Sequence, residues 1–306
     1  MKSPRSLLIL VMSLSLLTVQ GQTSMEAPDL GEATLINPGH FGPNAFPIPD
    51  MLDGTVSSEL RAEVSLSHYW GKRGDNASDV FMRLNIPLFT PRVNLSLWMV
   101  PVERWHQSTE NIIACRLVEN SLKYKKVRSG AATGDVYISA DIHVIKARDR
   151  GWRPDWTIRA ALKTASGNDH YLGRYYDAPG YFFDTSVAES FSLGKSSVWQ
   201  HRLRVALSTG FLCWQSGTGR QNDAVMYGVM LKWENRYFSV EETFGGYCGW
   251  EGQGDKPMTL KTQMLYHIGR FDILGACQFG FKDWNYRQLR LGAVYRFDIL
   301  KKKQPK

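Results

Sequence analysis

The sequence predicts an all-β protein: a twelve-stranded antiparallel transmembrane β-barrel with an N-terminal irregular periplasmic arm. Three observations carry that expectation. From Thr55 onward, segments of roughly ten residues alternate apolar and polar side chains, as strands do when one face meets lipid and the other a polar interior. The connections between segments fall into a short set and a long set that alternate along the chain. Beyond the first 21 residues there is no apolar run of the ~18 or more residues that a helical span needs.

Residues 1–21 read as a secretory signal peptide: Lys2 and Arg5 lead an apolar run from Leu7 to Val19, and Gly21 offers a small residue for cleavage. Export weighs against taking the formal net charge of +8 as a nucleic-acid footprint, so no nucleic-acid partner is expected. Residues 22–54 are rich in Pro and Gly, lack periodicity, and read as a periplasmic arm or plug. Phe41, Phe46, Ile48, Met51 and Leu52 make this segment more apolar than a disordered tail, and its prolines suit an extended docking segment.

The barrel is expected over 55–299, with strands near 55–70, 78–89, 92–104, 134–146, 155–166, 180–193, 197–213, 223–234, 237–250, 258–268, 270–281 and 286–299, and a basic tail over 300–306. Counted from a periplasmic start, the even-numbered connections read TPR, RDRGWRPD, GKSS, NR and GR. The odd-numbered ones include GKRGDNA, the stretch 105–133, SGNDHYLGRYYDAP, SGTGRQN and GWEGQGDK, with KDWN a short exception. Outer-membrane barrels have short periplasmic turns and longer outer loops, whereas a soluble sandwich has no reason to sort its loops by parity.

Side-chain parity agrees. In the first strand Leu60, Ala62, Val64 and Leu66 oppose Glu59, Arg61, Glu63 and Ser65; in the last, Leu289, Leu291, Ala293, Tyr295 and Phe297 oppose Arg290 and Arg296. Across the first half of the barrel, parity points Glu59, Arg61, Glu63, Arg83, Asn85, Asp141, His143, Arg159 and Lys163 into the lumen. The second half adds Asp184, Arg202, Arg204, Lys232, Glu241, Lys261, Gln263, His267, Arg290 and Arg296. This inward set has a basic surplus. It either cross-links a rigid, plugged bore or lines a small aqueous path that favours anions. Trp156, Trp199 and Trp233 fall at expected periplasmic ends, and Trp70 and Trp250 at outer ends, as two interfacial girdles require. Glu189 and Glu242 break the scheme by facing lipid; a β-bulge that resets the register is the expected cause, with a protein-contact surface as the alternative.

The closing LRLGAVYRF resembles the C-terminal strand of Gram-negative outer-membrane proteins, which implies an integral place in the cell outer membrane and reading by the barrel-assembly machinery during biogenesis. Many of those proteins end on the aromatic residue, whereas here Phe297 is followed by DILKKKQPK. The arm NPGHFGPNAFPIPDMLDGT with the strands after it is similar to uncharacterised outer-membrane proteins of the Bacteroides group, a resemblance that brings no known activity.

Motifs for chemistry are sparse. GKSS at Gly194 to Ser197 lacks the glycine a phosphate-binding loop needs five positions earlier, where Glu189 stands, and no zinc-protease, serine-hydrolase or dinucleotide motif occurs. Cys115, Cys213, Cys248 and Cys277 have no metal-ligand spacing and are expected mostly as small apolar residues in strands, with a Cys213 to Cys248 bridge as the alternative. No cofactor and no metal are expected. For an outer-membrane lipid hydrolase, parity puts His68 outward near an outer end but turns Ser67 inward, so that pair cannot share a hydrogen bond. The basic patch Lys123, Lys125, Lys126 and Arg128 in the long outer connection suits lipopolysaccharide phosphates or an anionic solute. The leading expectation is a narrow porin-like channel for small, anionic solutes, with Arg159, Lys163, Arg202, Arg204, Arg290 and Arg296 among its lining. The alternatives are a structural or secretion-associated barrel that binds a periplasmic partner through the arm and, third, the hydrolase.

Overall fold

The computed structural model of the chain describes residues 41–114, 127–147, 153–169, 172–176, 178–193, 200–216, 220–250, 252 and 254–297. Among these residues thirteen strands form one antiparallel sheet that closes on itself. They are β1 (Leu60–Gly71), β2 (Asn76–Pro87), β3 (Val93–His106), β4 (Ser129–Ala132), β5 (Tyr137–Ile145), β6 (Asp155–Lys163), β7 (Gly180–Ser192), β8 (Arg202–Ser216), β9 (Arg220–Glu234), β10 (Phe238–Gly249), β11 (Met258–Ile268), β12 (Phe271–Lys282) and β13 (Tyr286–Phe297). The ring closes where β13 pairs with β1, from Phe297 opposite Leu60 to Tyr286 opposite Gly71.

Strand β3 pairs with β5 from Val93 to Trp98 and with β4 from Glu103 to His106, so β4 and β5 share one position and the wall has twelve. The expected loop 105–133 is shorter than the sequence suggested. Its start continues β3 to His106, a short helix α1 (Thr109–Ala114) follows, and its end returns to the wall as β4. The arm in turn is longer, because β1 starts at Leu60; Glu59 lies just before it, its N–H donating to Ser57 Oγ.

Alternation in the sequence becomes alternation in exposure. Leu66 is 62% exposed while Ser65 and Ser67 on either side are buried. Val64, Leu162, Phe183, Leu207, Leu231, Ile273 and Leu291 are likewise turned outward and exposed. An apolar surface on this scale calls for hydrocarbon around it, and the closed ladder leaves no unpaired edge there. The barrel is an integral membrane protein.

Both β7 and β10 hold unbroken register against both neighbours. The bulge expected at Glu189 and Glu242 is therefore absent, and both side chains do lie on the outward face. Glu242 accepts a hydrogen bond from Thr262 Oγ1 at 2.6 Å, which offsets part of the cost of its position. Bulges occur elsewhere. One extra residue on β3, opposite Val80 to Met82, lets Val100 and Glu103 both turn inward. Cys213, Cys248 and Cys277 are free thiols, so the alternative Cys213 to Cys248 bridge does not form; Cys115 lies outside the described residues.

Candidate functional site: the bore and the arm inside it

Residues 41–59 run inside the barrel from the end bearing the long loops to the end bearing the short turns. At the loop end Tyr286 OH donates to the carbonyl of Phe41, Trp284 Nε1 to that of Pro43, and the Gly42 amide to Gly173. Deeper, Tyr247 OH donates to the carbonyl of Phe46. Phe41, Ala45 and Phe46 are buried among Tyr137, Phe182, Leu212, Trp214 and Tyr247. A neighbouring cluster of Tyr69, Phe81, Trp105, Tyr175, Trp284 and Tyr286 completes an aromatic filling of the loop end.

Under these rings sits a buried ionic knot. Arg174 donates from Nε and Nη2 to Glu103 Oε1 at 2.9 and 2.6 Å, and from Nη1 to Asp75 Oδ1 at 2.8 Å. Tyr175 OH and Asn44 Nδ2 donate to Glu103 Oε2, and Tyr69 OH and Asn44 Nδ2 to Asp79 Oδ2. Burial works against the Arg174 charge, but Glu103 and Asp75 outweigh it and raise the guanidinium pKa further. Gly42 lies against the Arg174 guanidinium, where a Cβ would come within 2.8 Å, so a larger residue here would have to displace that guanidinium from its ion pairs.

Toward the turn end the interior is charged, and its side chains divide into two groups. The first group pairs wall to wall. Arg159 binds Asp184 through Nε and Nη2 at 2.7 and 2.9 Å, Arg204 meets Asp155 at 2.8 Å, and His143 Nε2 lies 2.9 Å from the same Asp155. Asp272 gathers His267, Arg296 and Arg61 at 2.7, 3.2 and 3.7 Å. At the loop end of β6, Lys163 pairs with Asp135 at 2.7 Å and donates to the Ala178 carbonyl. Asp141 accepts from Ser96 and Ser139, and Arg202, exposed at the rim, lies 3.4 Å from Glu234.

The second group pairs with the arm. Arg83 and Lys261 each contact Asp50, at 2.6 and 2.7 Å, and Lys232 contacts Asp53 at 2.7 Å. Arg159 also donates to the Asp50 carbonyl and Arg204 to that of Asp53. Burial alone would raise the Asp50 pKa, but Lys261, Arg83 and Arg290 overcome it and hold the carboxyl well below the usual carboxylate range. Asp53 is likewise lowered, with Lys232 and Arg204 outweighing its burial. Arg290 stacks over the Phe81 ring at 4.5 Å and donates to Ser67. Glu63 and Glu241 have no ion-pair contact among the described residues; they accept from Ser65 and Thr243, and act at longer range on Arg83 and Arg290 and on Lys232 and Lys261 respectively. Between arm and wall here is a cavity of about 320 Å3 whose lining includes Asp50, Asp53, Lys232, Glu241, Lys261 and Arg290.

Of the expected lipid-side features, Trp70 and Trp250 are exposed, Trp156 donates to Thr185, and Trp233 stacks on His201; Trp199 lies outside the described residues. His68 does find a serine, from the neighbouring strand: its Nδ1 is 2.7 Å from Ser78 Oγ on the same outer face. Among the described residues nothing hydrogen-bonds its other ring nitrogen, so the pair lacks the third group that orients a catalytic imidazole. Lys123, Lys125 and Lys126 lie outside the described residues, and Arg128 precedes β4, its carbonyl accepting from the Gln107 amide.

Reading along the sequence misses the aromatic filling, Arg174, and the carboxylates Asp75, Asp79 and Glu103. The signal for the rings is present in the parity, since Trp98 shares a face with Asn94 and Ser96, and Tyr69 with Ser65 and Ser67. Arg174 lies in a loop without periodicity and carries no such signal.

No protein-family model and no curated protein matches the chain. Among solved structures it is similar to an outer membrane channel from Pseudomonas putida F1, with a TM-score of 0.52 and 13% identity over 81% of this chain and 100% of that one. Lower likeness links it to the NanC porin, with a TM-score of 0.47 and 10% identity over 77% of this chain and 100% of that one. A KdgM porin in complex with disordered oligogalacturonate gives a TM-score of 0.43 and 11% identity, over 77% and 99% of the two chains. The fold is that of an outer-membrane β-barrel.

Proposed function

We propose that the barrel is a narrow porin-like channel for small anionic solutes. One observation carries this reading: Arg83, Lys261 and Arg290 converge on one stretch of the bore, where the direct ion-pair contact made among the described residues is with Asp50 of the arm and the wall acids Glu63 and Glu241 act on them only at longer range. A cationic stretch facing a cavity lowers the energy of an anion there and raises that of a cation. Wall-to-wall pairs such as Arg159 with Asp184 stiffen the bore without contributing to that field.

Conductance of the purified protein in a planar bilayer tests the reading. Under a salt gradient the reversal potential is expected on the anion-selective side, and cation selectivity overturns it. The packed aromatic filling of the loop end favours a second reading, a non-conducting structural or secretion-associated barrel, which a silent bilayer would support. On this view lipopolysaccharide and the barrel-assembly machinery are the partners in the membrane and in biogenesis, and the arm motif supports grouping the chain with Bacteroides-type outer-membrane proteins.

A further inference from the structure

We propose that the bore contains a binding site for a compact dicarboxylate, which the protein's own arm fills with Asp50 and Asp53. The inference deepens the channel reading and rests on it for the ligand being a transported solute.

The argument starts from charge balance. Where the wall needs to neutralise a cation for structural reasons it supplies the carboxylate itself, as with Asp184 for Arg159 and Asp155 for Arg204. Along the path of the arm it supplies only Glu63, which acts on Arg83 and Arg290, and Glu241, which acts on Lys232, both at longer range than an ion pair. Arg83 and Lys261 have Asp50 as their ion-pair partner, and Lys232 has Asp53 at 2.7 Å with Glu234 only at 3.7 Å. Without the arm the wall is short of two negative charges at two adjacent places.

The contacts also have the form of carboxylate recognition. Asp50 gives Oδ2 to Arg83 on β2 and Oδ1 to Lys261 on β11, so one carboxylate bridges strands from different parts of the wall. Asp53 gives Oδ2 to Lys232 on β9 while Thr55 ties down Oδ1. Charge-assisted bonds to both oxygens discriminate a carboxylate from a monatomic anion. Access exists as well. The Asp50 side chain is 33% exposed, and the adjoining cavity of about 320 Å3 lies at the small end of the ~300–1,000 Å3 typical of small-molecule sites.

The arm is anchored twice, by rings at 41–46 and by charges at 50–53, and Gly54 ends the ionic part in a left-handed turn at φ +82°. A dicarboxylate that enters the cavity can therefore replace the two aspartates one at a time while the aromatic anchor stays in place. Each step exchanges one carboxylate for another, so the wall cations are never left bare. Exchange avoids the desolvated, unpaired charge that simple dissociation would create.

The test uses full-length protein in detergent, with succinate as the dianion and acetate and chloride at matched ionic strength as controls. In the Asp50→Asn/Asp53→Asn variant the site loses its resident carboxylates, and succinate is expected to raise the unfolding temperature with a half-effect concentration about tenfold or more below that of the wild type. Acetate and chloride should not do so, and adding Lys261→Gln should abolish the effect. Equal succinate responses in variant and wild type, no response in either, or the same response to acetate would overturn the proposal. Should the double variant not fold, each single variant must show an intermediate shift. The bilayer measurement keeps the two readings apart: a silent barrel with the succinate difference retains the site and loses the channel, and an anion-selective barrel without it retains the channel and loses the site.

Discussion

At the loop end of the bore Arg174, Glu103 and Asp75 are sealed under aromatic rings, Arg174 with 1% of its side chain exposed; toward the turn end Lys261 and Asp50 meet beside a cavity, with 16% and 33% of theirs exposed. Both are ion pairs at hydrogen-bond distance, yet burial gives them different work. A sealed charge has no alternative partner, so it locks the loops and the arm into one arrangement. A charge at the edge of a cavity has water and solute as competitors, so its partner can be exchanged. The difference teaches that one chain segment, the arm, is fixed at one end and replaceable at the other.

The most disruptive way to break this contrast is Arg174→Met, which leaves Glu103 and Asp75 buried without their cation. The expected cost is about 3–5 kcal/mol, read as a lower temperature at which the compact barrel band on an unboiled gel converts to the unfolded one. Phe46→Leu, which shaves the aromatic anchor without removing it, should cost about 1 kcal/mol in the same assay. Asp50→Asn acts at the wetter end, where solvent screens the loss, and should change stability by about 1 kcal/mol or less while shifting the reversal potential toward anions.

The pH dependence sharpens the contrast at the small end of the scale. Because Asp50 and Asp53 are held below the ordinary carboxylate range, their contribution is fully present above the unfolded-chain value of about 3.9 and is lost as pH falls through the lowered folded values. The arm should thus stay docked at pH 5. Unfolding temperatures of wild type and the Asp50→Asn/Asp53→Asn variant are expected to converge only in stronger acid; convergence already at pH 5 would show that the two carboxylates are not held this way.

The wall was legible in the sequence because a closed sheet in lipid enforces period two on every strand, and Leu66 between Ser65 and Ser67 shows that signal undiluted. The contents of the bore were less legible. Alternation states that Trp98 and Tyr69 face inward but not that they meet rings from across the cylinder, since the interior of a barrel imposes no periodicity of its own. Arg174 belongs to a loop, and its partners Asp75 and Glu103 are far from it in sequence. Residues 129–132 read as loop because four residues are too few to show alternation. Glu189 and Glu242 read as register errors because lipid disfavours acids, whereas the unbroken register of each strand leaves them outward.

The seam between β1 and β13 sets a chronology. The first and last strands seal against each other, so the cylinder stays open along one line until β13 pairs with β1. The arm is joined directly to β1, one edge of that seam, which places it beside the sheet while that line is still open. Wall strands then gather around a chain already present. A finished tube would instead have to draw two aspartates through a mouth crowded by Trp105, Trp284 and Tyr286, and wrapping spares the protein that passage.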